Sequence, residues 1–142
     1  MARKMTDLER EMFWRFMAEN PRCWTCGWEG TREGEWRDWM VNRLVNHHII
    51  GGPSRIHDVR NLARVCDGCH RLIHGERIVV KRAVLPKLSL AHVLWVKAKR
   101  DPENYDRAFL KKIRGQALPD ILELPKWHAD QLRQRQAPWR NY

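Results

Sequence analysis

The first periodic signal along the chain is helical. Leu8, Met12, Phe13, Phe16 and Met17 recur at the spacing that shares one helix face, and Thr6 with Glu9 three residues on makes a capping box. Asn20-Pro21 ends the pattern, because a residue before proline avoids the helical region, so a helix is predicted over 7–19. Residues 22–40 break the periodicity with two cysteines, three glycines and four tryptophans, a loop-rich stretch held by something other than secondary structure. Residues 41–50 read as a strand and 59–65 as a second. The run 67–75 reads as a short helix with Asp67 as N-cap and Gly75 as its stop. Residues 77–85 are predicted as a further strand. A helix capped by Ser89 follows and ends before Pro102, and a last helix runs from cap Asn104 to Gly115. Pro119, Pro125 and Pro138 then punctuate a tail with at most one short helix.

Length and charge narrow the class. A chain of 142 residues supports one domain with a modest core. No apolar run is long enough to cross a bilayer, and the opening "MARKMTDLEREMFWRF" lacks a secretory apolar stretch, so a soluble, cytoplasmic protein without disulfides is expected. The net charge is +10 and the sequence pI about 10.0. Residues 1–75 carry 12 Lys and Arg against 10 Asp and Glu, whereas 76–142 carry 15 against 7. The excess favours a polyanionic partner, nucleic acid before membrane. Three segments are expected: an N-terminal helix (1–21), a central core (22–75) and a basic helical extension with tail (76–142).

All four cysteines fall in two matched pairs, Cys23-x-x-Cys26 and Cys66-x-x-Cys69. Two such knuckles complete a tetrahedral site with no open position, the arrangement of a structural zinc. A redox Cys-x-x-Cys or ordinary core cysteines are the alternatives. Between the knuckles lie the adjacent His47 and His48, which face opposite ways on a strand. Directly on the second knuckle, His70 and His74 are four apart and share one helix face, close enough to reach a single ion.

In combination, "NHHIIGG", "NLARVC" and "CDGCHRLIHG" resemble the HNH endonuclease family over about residues 22–75. The resemblance implies an α+β chain: a small ββα-metal nuclease core of two strands and a helix, stapled by the four-cysteine zinc site, flanked by an N-terminal helix and C-terminal helices. It implies His48 as the general base and Asn61 as the residue that orients it. His47, His70 and His74 are the implied ligands of a catalytic divalent ion. Three imidazoles suit Mn²⁺, Ni²⁺, Co²⁺ or Zn²⁺ better than Mg²⁺. The implied activity is metal-dependent nicking or cleavage of DNA, by a monomer or a homodimer.

The layout also resembles free-standing phage HNH proteins, which would place the chain in a bacterial host cell. Phosphate contacts are expected from Arg55, Arg60 and Arg64 beside the site. More are expected from Lys97, Lys99, Arg100, Arg107, Lys111, Lys112 and Arg114 on the last two helices. The competing readings are a zinc-stabilised nucleic-acid-binding module and a phage structural or packaging accessory protein, neither needing nuclease activity. His57, His92 and His128 receive no ligand role, and the tryptophans are read as packing.

Overall fold

The computed structural model describes residues 5–27, 44–52, 58–80, 82–124 and 126. The chain is α+β. Helix α1 spans Asp7–Glu19, strand β1 Leu44–His48, β2 Leu62–Cys66 and α2 Asp67–Ile73; a small hairpin joins β3 (Val79–Val80) to β4 (Ala83–Val84), before α3 (Leu90–Arg100) and α4 (Arg107–Arg114). Short 3₁₀ turns sit at Val59–Asn61 and Pro102–Asn104. Among the described residues no helix is long and apolar enough to cross a membrane.

Local chemistry explains most boundaries. The Thr6–Glu9 capping box forms in both directions at 3.1 Å, and Ser89 caps α3 with the His92 imidazole reaching back to the Ser89 N–H. Several expectations shift. The predicted strand at 41–50 is described from Leu44 to His48, with 41–43 outside the described residues. The strand expected over 59–65 starts only at Leu62, because Asp58 accepts the Arg60 N–H and closes a 3₁₀ turn first. Cys66, not Asp67, caps α2: its sulfur accepts the Cys69 N–H, and Asp67 instead pairs with Arg71 one turn on. The single strand expected at 77–85 is a hairpin that turns at Arg82, whose φ of 69° is left-handed. Asp106 rather than Asn104 caps α4, since Pro102 commits the preceding residues to a separate turn.

Strands β1 and β2 pair antiparallel, with His47 opposite Ala63 and His48 opposite Leu62. Directly opposed residues share a sheet face, so the two histidines point to different sides. One core cluster gathers Phe16 of α1, Trp24, Ile49, Ile50, Val59, Leu62 and Ala63 with Val93, Leu94, Val96, Leu110 and Leu118. Residues beyond 76 therefore build the same core as the strands. A second cluster packs Val65, Leu72 and Leu88 around the four cysteines. Of the apolar face predicted for α1, Phe16 is buried and Phe13 and Met17 partly so, whereas Leu8 and Met12 stay exposed.

Asn20 joins three of these pieces. Its side-chain amide donates to Phe16 O and accepts from Trp24 Nε1, while its backbone carbonyl accepts from Arg64 Nε. The end of α1, the first knuckle and β2 are thus tied at one residue.

Candidate metal centres

The four cysteines are free thiols, all buried, and their sulfurs lie within 4.8 Å of one another. Each knuckle turns the same way: the Cys26 N–H points at Cys23 Sγ at 3.5 Å and the Cys69 N–H at Cys66 Sγ at 3.4 Å. Gly27, at φ 79°, follows the first knuckle in a conformation that side chains disfavour. Cys26 Sγ and Cys66 Sγ are 3.7 Å apart, far beyond a disulfide bond. That separation matches the edge of about 3.8 Å expected for a tetrahedron with zinc–sulfur bonds of ~2.3 Å.

Electrostatics agree with the geometry. Burial raises the Cys23 thiol, but contacts from Cys26, Cys66, Cys69 and Thr25 outweigh it and hold Cys23 well below its ordinary value. The contact with Cys23 in turn pushes Cys26 and Cys69 well above theirs. Four thiolates packed in this apolar pocket repel one another, so full ionisation requires a cation among them. The four cysteines could hold a structural metal such as zinc.

A second cluster, His47, His70 and His74, also brings its ligand atoms within 4.8 Å of one another. His47 comes from β1 and is buried; His70 and His74 come from the second turn and the end of α2, the latter exposed. The ring centroids are 5.2 Å apart for His47–His70, 5.5 Å for His47–His74 and 4.5 Å for His70–His74. Nε2 of His70 and Nε2 of His74 lie 3.0 Å apart, a separation adjacent ligands adopt around an ion with metal–nitrogen bonds of about 2.0–2.1 Å. Burial, then the neighbouring His70, His74 and His48, lowers His47 to about 3. Burial followed by His74 also lowers His70. Three imidazoles with one exposed side form a donor set able to hold a divalent ion while leaving coordination positions for water or substrate.

His48 lies on the other face of β1, opposite Leu62, and is half-buried. It stands outside the ligand trio, yet its charge acts on His47 and His70. Asn61 is fully buried. Its Oδ1 accepts from the Ile50 N–H at 2.8 Å, its Nδ2 donates to Ile50 O at 2.9 Å, and its carbonyl accepts from the Ile49 N–H at 2.8 Å. The backbone leaving His48 is therefore fixed by three hydrogen bonds to Asn61.

The cations divide. Arg60 is bound to Asp58 through two nitrogens, at 3.0 and 2.7 Å, and lies over the Phe109 ring. Arg64 is half-buried and donates to Asn20 O and Asn46 Oδ1. Lys97, expected on the DNA face, is instead fully buried and bonded to Val59 O and Asp101, so that expectation is corrected. Position 97 follows Val93 and Leu94 on the inward side of α3. Its place on that apolar stripe, with Asp101 one turn on, was the sequence signal for burial. Lys99, Lys111, Lys112 and Arg107 are exposed; Arg100 and Arg114 are partly covered, Arg114 donating to Ala117 O. Arg55, His57 and His128 lie outside the described residues.

No protein-family model matches the chain, nor does any curated protein or solved structure.

Proposed function

We propose that the chain is a metal-dependent endonuclease of the HNH type, built on a ββα-metal core, that nicks DNA. The observation that carries this reading is the placement of two adjacent histidines on opposite faces at the end of β1. His47 joins His70 and His74 in a trio able to hold an ion, while the next residue, His48, projects from the opposite face beside an Asn61-clamped backbone. A bound divalent ion supplies charge neutralisation at the phosphate and the leaving oxygen.

His48 takes a proton from a water molecule whose oxygen forms a bond to phosphorus. The P–O3′ bond breaks, and the departing oxygen takes a proton from solvent, leaving a 3′-hydroxyl and a 5′-phosphate. Asn61 holds the imidazole's backbone in place for that transfer. The four-cysteine site, loaded with zinc, secures the two ends of the segment that carries both histidines. Exposed Lys99, Lys111 and Lys112 add positive charge for the phosphate backbone.

Supercoiled plasmid incubated with the zinc-loaded protein and a panel of Mn²⁺, Ni²⁺, Co²⁺, Zn²⁺ and Mg²⁺ tests this. Nicking by the wild type is expected, with His48→Ala slower by about 10²–10⁴-fold and unchanged in affinity for the ion. His70→Ala and His74→Ala are expected to weaken ion affinity by more than about tenfold, since disturbing a ligand's supporting contacts alone costs 10–100-fold. A wild type that nicks in none of these ions, or a fully active His48→Ala, rejects the assignment.

A further inference from the structure

We propose that Lys97 is a positioning residue for His48: its buried ammonium holds the Val59–Asn61 turn and, through Asn61, the backbone on which the base is mounted. This rests on the reading of His48 given above.

Lys97 enters the core from α3 and is fully buried. Its Nζ donates to Val59 O at 2.7 Å and to Asp101 Oδ2 at 2.8 Å. The Asp101 carboxylate is itself held by Asn104 Nδ2 at 2.9 and 3.1 Å. The Phe16 and Trp24 ring centroids lie 5.3 and 5.4 Å from the ammonium, within the range of cation–π attraction. Moving a lysine charge out of water is costly unless hydrogen bonds and an opposite charge compensate it. Here a carbonyl, a carboxylate and two aromatic rings do so together.

The carbonyl it grips belongs to the turn's own hydrogen bonds. Val59 O also accepts the Leu62 N–H, so the ammonium and the turn's own backbone share a single acceptor. Two residues on, Asn61 commits both ends of its side chain and its carbonyl to Ile50 and Ile49, the residues immediately after His48. The path from Nζ to the base thus consists of hydrogen bonds and short covalent steps, with Val59, Asn61, Ile49 and Ile50 along it all buried. Hydrogen bonds to an ionised donor are shorter and stronger than neutral ones, which suits a charged group to fix a turn. The rings carry the same constraint to α1 and to the first knuckle, so the N-terminal helix is coupled to the base through the same ammonium.

The test uses the full, zinc-loaded chain. Lys97→Met removes the ammonium while keeping side-chain bulk, and Val93→Ala serves as a control that loosens the same core while leaving the Lys97–Val59 hydrogen bond its donor and acceptor. Three readouts are compared: amide hydrogen exchange at Ile50 and Asn61, the His48 ring signals by NMR, and plasmid nicking resolved into turnover and half-saturating DNA. In Lys97→Met, exchange at Ile50 is expected to rise about tenfold beyond that of the control, and the His48 ring signals to shift or broaden. Turnover should fall by roughly tenfold to a hundredfold, the scale on which small misplacements act, with half-saturating DNA unchanged. Ile50 exchange and His48 signals no different from the control overturn the proposal, as does unchanged turnover in an active protein. If the wild type nicks nothing, the nuclease reading fails by itself, and exchange and ring signals still decide whether Lys97 positions His48. Should Lys97→Met not fold, Asp101→Asn, which leaves the lysine but weakens its hold, is read in the same way and must move the same signals.

Discussion

Asn61 and Ile50 are joined by two hydrogen bonds in opposite directions, the Ile50 N–H to Oδ1 at 2.8 Å and Nδ2 to the Ile50 carbonyl at 2.9 Å. The asparagine amide thereby does for the backbone beyond β1 what a neighbouring strand would do, at the point where the ladder has ended. Leaving a buried donor or acceptor without its partner costs about 1–3 kcal/mol. Asn61→Ala is therefore expected to lose roughly 2–4 kcal/mol of stability in urea titrations. Asn61→Asp, which sets a carboxylate oxygen against the Ile50 carbonyl in a fully buried site, should be at least as destabilised as Asn61→Ala at neutral pH. Equal stability of all three would show that the clamp contributes nothing.

Zinc is expected to purify with the chain at about one equivalent and to resist dialysis. Structural zinc contributes about 10–16 kcal/mol of apparent binding free energy to a folded site. Loss of one sulfur in Cys66→Ser should lower the melting temperature by roughly 10 °C or more. Cobalt in place of zinc should give the absorption of a tetrahedral thiolate complex, and its absence would count against a metal held by the four cysteines.

Acid should weaken the fold partly through Asp58. Burial opposes its ionisation, but hydrogen bonds from the Arg60 side chain and N–H prevail and hold the carboxyl below its ordinary value of 3.8. A carboxyl depressed on folding adds stability that is complete above its unfolded value and disappears as pH falls through the lower folded one. The pair is partly exposed, at 41% for Arg60 and 32% for Asp58, so its share is about 1 kcal/mol or less. The stability gap between wild type and Asp58→Asn should be constant from neutral pH to about 5 and close progressively below about 4. A gap that widens in acid would reverse the sign.

DNA affinity should depend on Lys111 and Lys112, which are exposed on α4, and not on the charge of Lys97. Each phosphate contact contributes a slope of about −0.9 to the dependence of log affinity on log salt. The double change Lys111→Gln, Lys112→Gln should make that slope shallower by between about one and two units if both touch phosphate. Binding isotherms at several salt concentrations would show an unaltered slope if this helix face meets some other partner.

Features that depend on near neighbours are legible along the chain. The capping boxes at Thr6 and Ser89, the knuckle turns, and the one-turn spacing of His70 and His74 are local, because hydrogen bonds and helix periodicity act over three or four residues. Strand alternation likewise put His47 and His48 on opposite faces before any partner strand was known. Features that depend on residues far apart in the chain emerge only from the fold. That His47 meets His70 and His74 requires β1 to pair with β2 in one register, and Cys26 meets Cys66 because the first knuckle docks on β2, where the Trp24 N–H donates to Arg64 O. Arg64, expected near phosphate, also donates to Asn20 O and Asn46 Oδ1, residues far from it in the chain. Lys97 carries the clearest lesson: a lysine is a surface residue by composition, and only a carbonyl, a carboxylate and two aromatic rings from four separate segments stabilise its charge in the core. Leu118, placed by sequence in a tail, is buried for the same reason. Burial is a property of what surrounds a side chain, and those surroundings are assembled only when the chain folds.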